Sequence, residues 1–345
     1  MIIRRKQKPG RGRLDAEADL QQGRFSATVL LGEGWLPDPE TLLEVLETRF
    51  GELGTAVVVE GGDDTVMALE LDGTLIALER LETPLTDDPL AAAVQPARNW
   101  DPAPALAAHK AQLRVVAHAQ ANPETPEAKA DPGTPEAKAD PGTPEAKADP
   151  KTPEAKEPSP AQTPTRRAAL AATALAGILA RMAKAEVVYY PASGALLSSE
   201  DALRATQAVL RGVSPIEAWA TIYVLGPGGQ PDGSGVPHGG YTDGLEALLG
   251  REIELAPTPL SHIQAHDRLY GAIWKALDGE EAFEEGRELR AGDDTLVARI
   301  RAVEAWLRPG VPALVLVGPE AVVDMHHLEL KPGVDPAVLR HTPAG

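Results

Sequence analysis

Cysteine is absent from the 345 residues of this chain. Disulfides, thiolate metal sites and a thiol nucleophile are thereby excluded, and a reducing compartment suits the sequence. Aromatic side chains are scarce at 4%, so Leu, Val, Ile and Ala must fill any core, and hydrophobic residues at 43% supply enough of them. No apolar run reaches bilayer length. The longest, residues 168–180, is short and dominated by alanine. The charged start runs into Leu14-Asp15-Ala16-Glu17, where an export signal would carry its apolar segment. The expectation is a cytoplasmic protein of bacterial style with no membrane span.

Positive charge is in short supply as well: 33 Lys and Arg face 51 Asp and Glu, a net charge of −18. Arg4, Arg5, Lys6, Lys8, Arg11 and Arg13 stand in the first fourteen residues without one acid, so the chain beyond them is more acidic than the total. Such a body repels phosphate backbones, which argues against nucleic acid as a partner of the folded part. A basic protein partner, or a cation, fits better. Residues 1–23 read as a basic flexible tail.

The clearest feature present is a nine-residue repeat. Thr-Pro-Glu-Ala-Lys-Ala-Asp-Pro-Gly begins at Thr125, recurs at Thr134 and Thr143, and decays from Thr152. Two prolines per unit forbid a continuous helix, since each lacks an N–H and restricts its predecessor. The unit has no Leu, Ile, Val or aromatic residue and cannot repay the entropy of ordering. Residues 122–165 are expected to be a disordered, semi-extended linker, separating an N-terminal α/β half (24–121) from a C-terminal one (166–345).

Before the repeat, residues 25–31 are β-rich, and Asp38-Pro39 gives a cap followed by proline at the first helical position. Leu42, Leu43, Leu46 and Phe50 have helical spacing up to the stop at Gly51. Asp72-Gly73, between β-rich residues 65–71 and 74–78, signals a hairpin, and 56–60 and 111–118 read as further strands. After the repeat, helices are predicted at 166–184 and 200–210, and strands at 187–191, 218–225, 252–255, 296–307 and 313–317. A long helix is expected to be capped by Thr258-Pro259 and to reach Leu277. The strand at 111–118 and the helix at 166–184 look like one β-then-α unit into which the repeat was inserted, a tolerable event because loop closure costs only about 0.6 kcal/mol per doubling of length. The fold class expected is α+β, an antiparallel or mixed sheet packed by helices.

Tyr241-Thr242-Asp243-Gly244-Leu245, followed by Gly250-Arg251-Glu252-Ile253-Glu254, resembles the "T-x-G-L…G-x-E-x-E" stretch of the bacterial domain-of-unknown-function family numbered 4261. Residues 109–116, the run Val187, Tyr189, Tyr190, Pro191, and the strand around Trp219 are similar to that family too, and Gly292-Asp293-Asp294-Thr295 fits with one extra acid. The resemblance covers 109–121 and 166–305. It implies a mixed α/β domain with no assigned activity, in a family some of whose members lie near secretion or toxin-immunity loci.

Chemical signals are few. No Gly-x-Ser-x-Gly elbow exists for a serine hydrolase. The glycine-rich loop at 226–235 lacks the Gly-Lys-Ser/Thr ending of a phosphate cradle. His262 and His266, four apart on the long helix, share a face that a zinc or nickel ion can exploit, but the run His-Ile-Gln-Ala-His lacks a metalloprotease glutamate. His266 also falls in a stripe with Ile263, Tyr270, Ile273, Trp274 and Leu277 that reads as core. Adjacent His326 and His327 would point to opposite sides of a strand. Glu252 and Glu254, two apart on a strand, point to one face and head the candidates for gripping a basic partner or a cation. Thr242 belongs with them through the motif, Asp293 and Asp294 come next, and Glu280, Glu281, Glu284 and Glu285 read as a solvated acidic face. No cofactor is expected. The reading is a non-catalytic protein-binding module using an acidic surface, which an immunity-type or secretion-accessory role would fit. The alternative is a metal-dependent hydrolase built on Glu252, Glu254 and the histidines.

Overall fold

A computed structural model describes residues 24–50, 56–63, 65–71, 73–85, 90, 100–119, 164–225, 237–278, 283–290, 296–305, 307–308 and 310–323. The repeat, the basic tail, the glycine-rich loop, Glu280, Glu281, Asp293, Asp294, His326 and His327 lie outside these residues.

The chain builds two sheets with helices against them, an α+β fold. Strands β1 (Arg24–Leu31), β2 (Ala56–Asp63), β3 (Val66–Leu71), β4 (Thr74–Leu81) and β5 (Ala111–Ala119) precede the repeat, and β6 (Val187–Tyr190) and β7 (Ala195–Ser198) follow it. All seven form one antiparallel sheet in the order β2-β3-β4-β5-β1-β6-β7. The pairing of Thr28 with Tyr189 joins the two sides of the repeat in a single ladder. Strands from both sides of the repeat therefore belong to one sheet. The Asp-Gly signal is a hairpin turn, closing Leu71 on Thr74 with Gly73 at φ +70°.

Helix α1 (Pro39–Phe50) starts as its sequence dictates, with the Asp38 carboxylate accepting from the Thr41 N–H and hydroxyl, both at 2.9 Å. A short helix α2 (Ala103–Ala108) precedes β5. Helix α3 (Pro164–Ala183) starts on its proline and lies across β1 and β5, so the expected β-then-α unit is formed. Its core side chains are mostly alanine, which lets α4 (Ser199–Leu210) approach closely at Gly177. The predicted strand from residue 218 begins as a helical turn, α5 (Ile216–Trp219), because Pro215 opens it and the Trp219 indole turns inward to donate to Thr173 Oγ1 at 2.9 Å.

The second sheet has the order β11-β12-β13-β10-β9-β8. It comprises β8 (Thr221–Leu225), β9 (His238–Asp243), β10 (Glu252–Thr258), β11 (Glu288–Arg290), β12 (Leu296–Glu304) and β13 (Pro312–Val317); only β10 and β13 pair in parallel. A single turn, α6 (Glu246–Leu249), links β9 to β10. Helix α7 (His262–Asp278) crosses β8, β9 and β10. Its cap is Ser261, with Gln264 N–H donating to Ser261 Oγ at 3.3 Å and Ser261 N–H to Gln264 Oε1 at 3.0 Å. This reciprocal box displaces the start expected at Thr258-Pro259, and Thr258 ends β10 instead.

One apolar core runs from Phe25, Leu113 and Val115 through Leu175, Leu179 and Trp219 to Leu255, Leu269, Ile273 and Leu316. It spans the α3 side of the first sheet and the α7 side of the second. No described helix is long and apolar enough to cross a membrane.

Candidate functional site

The motif stretch from Tyr241 to Glu254 is the β9–α6–β10 unit; Glu252 and Glu254 face inward, whereas Glu246 of α6 is exposed. The Glu252 carboxylate, 4% exposed, accepts from Thr242 Oγ1 at 2.7 Å and from the N–H groups of Gly244, Leu245 and Glu246 at 2.9, 3.3 and 3.0 Å. It pins the whole β9–β10 connection. Burial pushes its pKa up, ahead of the lowering by Thr242 and the backbone donors, and Asp243 adds to the rise. Glu254, fully buried, accepts from the Leu307 N–H at 3.3 and 3.2 Å. Thr242, also fully buried, additionally takes the Ile253 N–H at 2.8 Å.

A grip on a partner needs exposed carboxylates. The spacing correctly put these two on one face, but that face is closed, and both are spent holding backbone. Sequence alone gives the side of a strand and not which side meets water. Alternation along β10 also sets them opposite Ile253 and Leu255, which meet the core beneath α7. The carboxylates and the α7 histidines thus lie on opposite sides of the sheet.

The two histidines themselves have different neighbours. The His262 ring meets His238 edge-on at 6.4 Å, while His266 stacks on Tyr270 at 6.3 Å with Nδ1 3.4 Å from Asp267. Among the described residues no group of three His, Asp or Glu side chains is placed to hold a metal ion. Glu284 and Glu285 are exposed, as expected of an acidic face, and Glu285 also takes the Ala302 N–H and the Arg301 side chain.

Beyond Glu254, Arg308 donates to Thr242 O and Asp243 Oδ1, both at 3.1 Å, and lies 5.1 Å over the Tyr241 ring. Tyr241 stacks on Tyr223 of β8 at 4.9 Å. This cross-strand stack ties the far end of the sheet together.

The stripe on α7 that reads as core is split: Ile273 and Leu277 are buried as expected, and Ile263, Tyr270 and Trp274 are not. Ala265, Leu269, Ala272, Ile273, Ala276 and Leu277 face the sheet. Gly240 of β9 leaves room there, for a Cβ on it would come within 2.7 Å of Leu269 Cδ1. Ile263, Tyr270 and Trp274, expected in the core, are 65%, 36% and 39% exposed. The buried side alternates Leu269, Ile273 and Leu277 with three alanines, and the alanines together with Gly240 let the helix lie close to the sheet. A residue spacing of seven and four puts Ile263, Tyr270 and Trp274 in a line on the outer face. Only two other large hydrophobics are exposed among the described residues, Leu75 and Val213, so exposed apolar surface is concentrated on this helix.

A cleft flanks each side of that line. One, about 460 Å³, is lined by Leu260, Gly271, Trp274, Leu289, Ala298 and Leu316, with Asp267, Arg268 and Lys275 beside it. The other, about 250 Å³, is lined by Trp100, Leu196, Ile216, Ile222, His266 and Tyr270, with Asp201 and Glu217 beside it. It opens where β7, an edge of the first sheet, meets β8, an edge of the second.

No family model, curated protein or solved structure matches this chain.

Proposed function

We propose that this is a cytoplasmic, non-catalytic module that binds a basic protein through the outer face of α7. The observation that carries this reading is the exposed line Ile263, Tyr270 and Trp274 between two clefts. Aromatic anchors beside desolvatable pockets are what interface hot spots are made of. The chain's charge of −18 selects the partner: a cationic protein is drawn in, and association slows as salt screens the attraction. An immunity-type or secretion-accessory role is compatible with such masking of a basic partner, and the family resemblance, which brings no assigned activity, agrees with it.

The test is affinity capture from the native lysate at low and high salt, with the full chain and its Tyr270→Ala/Trp274→Ala variant as baits. A basic protein held by the parent chain, released by salt and lost by the variant supports the proposal. Truncating one such anchor costs about 2 kcal/mol, roughly a 30-fold loss of affinity. Identical proteins on both baits, or capture indifferent to salt, would overturn it.

A further inference from the structure

The smaller cleft has a chemistry of its own. Its floor is apolar, made by Leu196 of β7, Ile216 of α5 and Ile222 of β8. Three rings line it: the Trp100 indole, the Tyr270 phenol and the His266 imidazole stacked on Tyr270. An exposed carboxylate, Glu217, accepts from the Tyr270 hydroxyl at 3.2 Å and so stands at the ring's polar end. The second acid, Asp201, is already compensated, because Arg204 bonds it and the Ser198 hydroxyl donates to it at 2.6 Å. His266, the third ionisable group of the lining, has Asp267 3.4 Å from its Nδ1, which leaves Glu217 as the acid of the cleft without a basic partner in the contacts above.

Resting on the docking role proposed above, we infer that this cleft is the subsite for one long cationic side chain, lysine or arginine, of the basic partner. Such a side chain is apolar along its stem and charged at its tip. The stem matches the aliphatic residues and the aromatic rings of the lining. The tip meets the Glu217 carboxylate beside the Tyr270 hydroxyl, and the carboxylate attracts a cation. A wholly apolar group would leave Glu217 without a counter-charge, and an anion would meet Glu217, Asp201 and the acidic body together. The larger cleft is lined by Asp267 as well as by Arg268 and Lys275, and Arg268 is already paired with Glu320, so charge of both signs leaves it no such preference and its apolar lining suits an apolar anchor.

The experiment titrates the full chain with n-butylammonium, n-butylguanidinium and n-butanol, following the Trp100 indole N–H resonance, which Trp100→Phe identifies. At least one of the two cations shifts it, and butanol of the same length does so more weakly. Glu217→Gln weakens cation binding about 3- to 10-fold, as an ion pair beside an aromatic ring requires, and leaves butanol unchanged. A shift by only one cation supports the subsite and names its source as lysine or arginine. Butanol binding as tightly as the cations, indifference to Glu217→Gln, or a silent Trp100 would each overturn the inference. Ile263→Ala, outside the cleft, separates the two proposals: it weakens partner capture and leaves cation binding intact. Cation binding without any captured partner sinks the docking role alone, whereas capture without cation binding sinks the subsite alone.

Discussion

Gly177 and Gly271 sit inside helices, α3 and α7, and the same substitution is expected to act on them with opposite sign. Alanine is favoured over glycine in a helix interior by about 1 kcal/mol, chiefly because the unfolded chain loses less freedom. At Gly271 a Cβ would meet nothing within 4 Å, so Gly271→Ala should keep most of that gain. At Gly177 a Cβ would stand 2.2 Å from Thr206 Oγ1, 2.6 Å from the Ala202 carbonyl oxygen and 3.0 Å from its carbon. The hydroxyl can turn away, but the carbonyl is α4 backbone and cannot. The two helices must separate.

That separation has identifiable costs. Overpacking a core of this density costs about 1–3 kcal/mol. Thr206 also donates towards Ala174 O at 3.2 Å across the helix pair, and a buried hydroxyl bond stretched beyond reach costs about 1 kcal/mol more. Set against the propensity gain of about 1 kcal/mol, the net expectation for Gly177→Ala is a loss of roughly 1–3 kcal/mol. Urea unfolding followed by tryptophan fluorescence suits the measurement, since Trp219 is anchored to Thr173 one turn from Gly177. A Gly177→Ala protein as stable as the parent, or a Gly271→Ala protein less stable by more than about 1 kcal/mol, would refute the close-packed α3–α4 crossing or the openness of α7.

Two further outcomes follow from buried polar groups. Arg166 donates to Leu277 O, to Ser214 Oγ at 3.1 Å and to Asp278 Oδ1 at 3.2 Å, clamping the start of α3 to the end of α7. Arg166→Met leaves Asp278 half of a largely buried pair and should cost about 3–5 kcal/mol in urea unfolding, with a loss under about 1 kcal/mol counting against the clamp. The raised pKa of Glu252 means that wild-type stability falls as pH rises from the ordinary 4.5 through the raised value, because ionisation is disfavoured in the fold. Glu252→Gln does not titrate and sets an amide N–H against backbone donors, so it should be the less stable protein, by a margin that narrows as pH rises through that window; a margin that stays constant or widens contradicts the burial argument.

Local signals in the sequence were read faithfully by the fold. The Asp38-Pro39 start, the Asp72-Gly73 turn and the break between β5 and α3 each depend on a few neighbouring residues. Pairing at a distance is another matter. That β1 would take β6 as its second neighbour depends on competition among strands separated by more than a hundred residues, and nothing within any one strand encodes the choice. The shifted start of α7 is intermediate: Ser261 and Gln264 are a visible capping box, but Thr258-Pro259 imitates one three residues earlier, and only the demand of β10 for Thr258 decides between them.

The candidate surface shows the same division more sharply. Helical periodicity says that Ile263, Tyr270 and Trp274 share a face, and the large apolar face is the ordinary choice for burial. On α7 a second face of Ala265, Leu269, Ala272, Ile273 and Ala276 competes, and contact distance settles the contest. Alanine lets the helix lie close over β8, β9 and β10, where Gly240 has given up its side chain for the purpose; tryptophan and tyrosine would hold it away and open voids along Ile253 and Leu255. The large residues are left outside by geometry, 36–65% exposed, although Tyr270 bonds Glu217 and stacks on His266. A helix carrying two usable apolar faces has one more than its own fold consumes, and it is that surplus, with Glu217 on one side and Asp267, Arg268 and Lys275 on the other, on which the proposed docking role rests.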